Sequence, residues 1–86
     1  MNQNAVALVI GAGEGSGGAF ARRFAKGGFI ACVARRNSDK LSTLVEQIER
    51  DGSQAHGFGV DAINEEEIVN LVATIEKDIG PIEVAI

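Results

Sequence analysis

Apolar and polar positions alternate in blocks along this chain. Ala5–Ile10 reads AVALVI, an unbroken apolar run between Asn4 and Gly11, which predicts a strand buried on both faces. The Gly11–Gly18 stretch then predicts a turn and helix start, and Ala19–Lys26 continues as a helix with Phe20 and Phe24 stacked four residues apart. Gly27-Gly28 stops that helix. Phe29–Val33 (FIACV) predicts a second buried strand, and Arg35–Asn37 a loop. Ser38 or Asp39 can cap the next helix, whose apolar stripe is Leu41, Leu44, Val45 and Ile48. Gly52 ends it. Gln54–Val60 predicts a weaker third strand, interrupted by Gly57 and Gly59.

Asn64 followed by Glu67 resembles a capping box. Ile68, Leu71, Val72, Ile75 and Ile79 then line one helical face, and Gly80-Pro81 terminates it. Ile82–Ile86 (IEVAI) predicts a fourth apolar strand. The order is βαβαβαβ, which predicts an α/β fold with a parallel sheet and right-handed crossovers. No repeat, linker or domain boundary divides residues 1–86. An apolar strand with no solvated tail after it leads us to expect the opening portion of a larger α/β domain, truncated within strand 4.

Composition narrows the chemistry. The chain has 86 residues, short for a domain and able to bury only about 60–65% of its unfolded surface. It has no Tyr, one Cys and one His. A phenolic acid or base, an intrachain disulfide, a cysteine-rich zinc site and a histidine cluster are therefore excluded. Net charge is −4, unevenly divided: residues 1–43 hold six basic and two acidic side chains, residues 44–86 two basic and ten acidic. The asymmetry is compatible with an anion site in the first half, while the lack of a continuous basic face argues against nucleic acid. No apolar run reaches the ~20 residues of a membrane span, and the N-terminus lacks the basic start of a signal peptide. The expected setting is cytoplasmic.

The chemistry concentrates in Gly11-Ala12-Gly13-Glu14-Gly15-Ser16-Gly17-Gly18, which holds five of the eleven glycines. A strand before it, a helix after it and a second strand within about 30 residues give the context that a dinucleotide-binding turn needs. Gly11 permits a tight exit. Gly15 and Gly17 lack a Cβ, so a pyrophosphate can approach the backbone, and the following helix turns its free N–H groups towards the anion. Gly13 and Ser16 complete the set, and Gly18 can let helix and strand pack closely. The bland alternative is a glycine loop without a ligand. A Walker-type phosphate loop is excluded, because no Gly-Lys-Ser/Thr follows.

Gly11, Gly15 and Gly17 fit G-x-x-x-G-x-G, and this spacing resembles the short-chain dehydrogenase/reductase family, whose turn reads Thr-Gly-x-x-x-Gly-x-Gly. The likeness runs through all 86 residues. It includes Val33-Ala34-Arg35-Arg36 after the second strand, Val60-Asp61 after the third, and Gly80-Pro81-Ile82-Glu83-Val84 leading into the fourth. Three positions depart from the pattern: Ile10 replaces the usual Thr, Ser16 a common Ile or Leu, and Glu14 stands where many NADP-using members carry Ser, Arg or Lys. The resemblance implies a Rossmann-like, doubly wound parallel sheet and an oxidoreductase that moves hydride between a nicotinamide and a carbonyl or alcohol.

NAD sites place an acid near the end of the second strand to hold the ribose hydroxyls. Here Ala34-Arg35-Arg36-Asn37 carries none, and two guanidiniums can clamp a 2′-phosphate through bidentate bonds. An Arg here goes with NADP in the family, so NADP is the expected cofactor, with NAD possible. The alternative is a solvated pair of surface arginines. Glu14 would repel a 2′-phosphate unless it pairs with Arg35 or Arg36 or points to solvent. By resemblance, Asp61 would accept from the adenine amino group, with Val60 and Ala62 lining the ring. Alternatively it makes a local turn or capping bond before Asn64.

Cys32 reads as an inert buried thiol, and His56 as a surface or half-buried residue without a partner. Glu65-Glu66-Glu67 is explained by the helix dipole rather than by a metal. Phe20, Phe24 and Phe29 read as core, and Phe58 as strand packing. The family's Asn, Ser and Tyr-x-x-x-Lys have no counterpart here, so no catalytic residue is named and the chain alone is expected to be inactive. The resemblance also implies a small-molecule carbonyl or alcohol substrate and a homo-oligomer for a full-length protein. Two other readings use the same features: a non-catalytic NADP-binding sensor or scaffold, and a methyltransferase-like domain. The second would want an acid where Arg35-Arg36 stand.

Overall fold

A computed structural model describes residues 4–11, 16–36, 38–61 and 63–86. The elements run β1 (Val6–Ile10), α1 (Ser16–Lys26), β2 (Ile30–Arg35), α2 (Ser38–Arg50), β3 (Ala55–Gly59), α3 (Glu65–Asp78) and β4 (Ile82–Ala85). The expected order and strand count are realised. All the pairings are parallel, and the sheet order is β3-β2-β1-β4. This is a four-stranded parallel sheet of Rossmann-like α/β type.

Strand alternation sorts the core into two layers. Val9, Ala31, Val33 and Ala55 face the Leu41, Leu44 and Ile48 stripe of α2 together with Ala21 and Ala25 of α1. Val6, Leu8, Ile30, Cys32 and Ala34 face Leu71 and Ile75 of α3, with Val72, Ile79 and Ile82 packed around them. The central strands β1 and β2 are buried almost throughout because helices cover both faces. On the edge strand β3 only Ala55 is buried.

The structure corrects the phase of α1. Its inward face is Gly18, Ala21 and Ala25, small residues that let the helix lie close to β1 and β2. Phe20 therefore points away from the core and is 40% exposed. Phe24 is half-buried and meets Phe29 edge to face at 5.7 Å between ring centroids, rather than stacking on Phe20.

Strand ends shift by a residue or two from expectation, and two boundaries bear on the site. β2 runs on to Arg35, because Arg35 pairs with Gly59 of β3. α2 begins at Ser38, so Ser38 and Asp39 lie inside the helix, and its cap position falls outside the described residues. α3 is capped as expected at Asn64, whose side-chain oxygen accepts from the Glu67 N–H at 3.2 Å. The reciprocal bond of a capping box goes elsewhere: the Glu67 carboxylate accepts from the Asp61 N–H at 3.4 Å.

Candidate functional site

Parallel strands deliver all their carboxyl ends to one edge, and the residues singled out in the sequence gather there. β1 ends at Ile10, and Gly11 leaves the strand with φ +81°, a conformation that side chains rarely adopt. The Gly11 N–H still donates to Ala34 O at 2.6 Å, so the glycine is anchored to β2 as the chain turns away. Gly13, Gly15 and Glu14 lie outside the described residues. α1 starts at Ser16 and Gly17, so its N-terminus opens on this same edge. Its first turn carries no acid, leaving the positive end of the helix dipole uncompensated by its own side chains.

The ends of β2 and β3 bring together two residues 25 positions apart in sequence. Arg35 pairs with Gly59, and the Val60 N–H donates to Arg35 O at 3.0 Å, extending the ladder one residue beyond β3. Asp61 therefore emerges beside Arg36. Arg36 Nη2 donates to Asp61 Oδ2 at 3.3 Å, with the two side chains 78% and 35% exposed. Arg35 is half-buried in β2. Its partner across the ladder is Gly59, and the Asp61 contact is made by Arg36.

Asp61 is held on several sides. Its Oδ1 accepts from the Ile63 N–H at 3.0 Å, and its carbonyl accepts from the Asn64 N–H at 3.0 Å. The Ile63 bond is the first cause of a carboxyl pKa below the usual range; desolvation opposes it, and the hydrogen bond and charge of Arg36 add to the lowering. The local-turn reading of Asp61 is thus realised, and Oδ2 is the oxygen turned to Arg36. Val60 packs half-buried against the α3 layer, while Ala62 lies outside the described residues.

Sequence reasoning named Arg36 and Asp61 separately and missed their pairing. It also missed Glu67 as the partner of the Asp61 N–H. The signal for the pairing was the parallel register, which puts residue 36 level with residue 60. Cys32 is fully buried in β2, and burial pushes its thiol up to about 11. His56 is exposed on β3. Among the described residues no group of three or more His, Cys, Asp or Glu side chains could hold a metal ion, and no helix is long and apolar enough to cross a membrane.

A parallel sheet with a glycine exit, a helix N-terminus and polar side chains at its carboxyl edge defines the nucleotide-binding class of α/β folds. The family model described as short chain dehydrogenase matches residues 5–86, and the chain belongs to that family. A short chain dehydrogenase of Pseudocercospora fijiensis is 33% identical over 85 residues, 98% of this chain and 27% of the relative. A metagenomic short-chain oxidoreductase solved in complex with NADP superposes with a TM-score of 0.90 at 26% identity, over 95% of this chain and 37% of that one. An actinorhodin polyketide ketoreductase variant solved with NADPH gives a TM-score of 0.89 at 35% identity, over 98% of this chain and 33% of that one. The chain thus spans about a third of the length of these proteins.

Proposed function

We propose that this chain supplies the adenosine- and pyrophosphate-binding half of an NADP(H)-dependent oxidoreductase acting on a carbonyl or alcohol. The observation that carries the reading is the convergence of Gly11, the α1 N-terminus, Arg36 and Asp61 on one sheet edge, with no carboxylate directly after β2.

The donor set suits the ligand. Backbone N–H groups of the Gly11–Gly17 turn and the helix dipole would hold the pyrophosphate, with Gly13, Gly15 and Ser16 contributing. Arg35 and Arg36 would take the 2′-phosphate, and Asp61 would accept from the adenine amino group. Once bound, the nicotinamide would carry the hydride. With no Tyr anywhere in these 86 residues, the general acid of the family has no counterpart here, and the isolated chain would reduce no carbonyl substrate above background.

The test is titration with NADPH and NADH, followed by cofactor fluorescence. A charge-assisted contact to the 2′-phosphate predicts NADPH binding tighter by about ten- to a hundredfold. Tighter NADH binding would reject the cofactor assignment. Turnover of a carbonyl substrate by the chain alone would reject its role as a cofactor half.

A further inference from the structure

We propose that Asp61 is a positioning residue for 2′-phosphate recognition: by holding the Arg36 guanidinium at the carboxyl edge of β2 and β3, it makes the preference for a 2′-phosphorylated adenosine depend on residue 61 as well as on residue 36. The inference rests on the reading of Arg36 as a 2′-phosphate ligand and adds a second residue to it.

The two partners are held very differently. Arg36 is one residue past the end of β2, is mostly exposed, and among the described residues has one contact, from Nη2 to Asp61 Oδ2. Asp61 is anchored: its Oδ1 accepts from the Ile63 N–H, its own N–H meets Glu67, and its carbonyl takes the Asn64 N–H. Glu67 in turn lies in the first turn of α3, which Asn64 caps. A long, rotamer-rich cation is thus tethered to a carboxylate that the start of α3 keeps in place.

The tether leaves the cation able to bind. A guanidinium carries five N–H donors, and this contact engages one nitrogen, so a forked edge stays free for a phosphate. The carboxylate also repels a phosphate. At an exposed site that repulsion is screened by solvent and salt, whereas the orientation of Arg36 is set by direct contact. Removing the carboxylate should therefore loosen the grip on the 2′-phosphate.

The probes are adenosine 2′,5′-bisphosphate and adenosine 5′-monophosphate, with affinities measured by calorimetry on the full chain. The parent, Arg36→Ala, Asp61→Asn and the double variant form a cycle. Asn at 61 keeps an oxygen for the Ile63 N–H, so the turn has its acceptor. Asp61→Asn should cut the preference for the bisphosphate by about two- to fivefold, and should change it no further once residue 36 is Ala. A lost adenine contact or a loosened turn weakens both ligands alike and leaves their ratio intact. If Arg36→Ala lowers the ratio while Asp61→Asn leaves or raises it, the positioning role is overturned and the NADP reading stands. If Arg36→Ala itself leaves the ratio unchanged, the NADP reading fails.

Discussion

Gly80 is the position where one added carbon should do most harm. It follows Ile79, the C-cap of α3, and precedes Pro81, whose carbonyl accepts from the Val6 N–H at 2.8 Å. A Cβ built on Gly80 collides with the carbonyl oxygen of Asn4 and comes within 2.9 Å of Asn4 Cβ and 3.0 Å of Asn4 C. These obstacles are mostly backbone at the entry to β1. The next residue is pinned, since Ala5 O accepts from the Ile30 N–H at 2.9 Å. Neither side can yield without shifting β4 along β1. Overpacking of this kind costs about 1–3 kcal/mol, and the smaller unfolded-state entropy of Ala returns about 0.4–1 kcal/mol. Gly80→Ala should therefore lose about 1–2 kcal/mol net, a fall in Tm of roughly 5–15 °C for a chain of this size.

Thermal unfolding followed by far-UV circular dichroism is the assay, because the chain has no Trp or Tyr for intrinsic fluorescence. Gly11 supplies the contrast. Among the described residues nothing lies within 4 Å of a Cβ there, so the left-handed backbone sets the cost of Gly11→Ala, about 1–2 kcal/mol. Asn tolerates that conformation, so Gly11→Asn should recover part of the loss. At Gly80 the clash begins at Cβ, so Asn should fare no better than Ala. A Gly80→Ala chain that melts at or above the parent would refute the reasoning.

Leu8, buried between the strands and the α3 layer, should lose about 2–5 kcal/mol on Leu8→Ala, read as a lower urea midpoint at unchanged slope. Cys32 should resist thiol reagents in the folded chain and react once urea unfolds it. Its folded pKa of about 11 lies above the unfolded value, so the stability tied to the neutral thiol is complete below the unfolded pKa and lost as pH rises towards 11; Cys32→Ala should flatten that alkaline limb. The Asp61 carboxyl is depressed on folding, so its contribution is present above about pH 4 and lost as pH falls through the folded value; Asp61→Asn should flatten the acid limb of a dichroism-monitored titration.

The fold was legible wherever burial dictates composition. AVALVI and FIACV read as strands because helices cover both their faces, and the stripes of α2 and α3 match the two core layers. The phase of α1 was not legible. Phe20 and Phe24 carry the largest apolar surface of that helix, yet it needs its smallest side chains inward to approach the sheet. Hydrophobicity and closeness of approach point to different faces, and only packing decides between them. β3 was the faintest strand for a related reason. A Cβ at Gly57 would stand 3.3 Å from Val45 Cγ2 and 3.4 Å from Leu41 Cβ, so the seat of α2 favours a residue that weakens the strand signal.

The candidate site shows a different limit. Arg36 and Asp61 are each conspicuous in the sequence, one by the absence of an acid after β2, the other by its place after β3. Read singly, they would contact different parts of an adenosine, a phosphate and an amino group. Their union depends on a register: Arg35 must pair with Gly59 for residue 61 to emerge beside residue 36. A one-residue slip would reverse the face of every side chain in β3 and carry Asp61 away from Arg36. That register is fixed where Ala55, the buried residue of β3, meets Ala31, at the far end of the two strands from the site. If Arg36 takes a 2′-phosphate as proposed, discrimination between the two dinucleotides would be coupled to core packing through the length of β2 and β3.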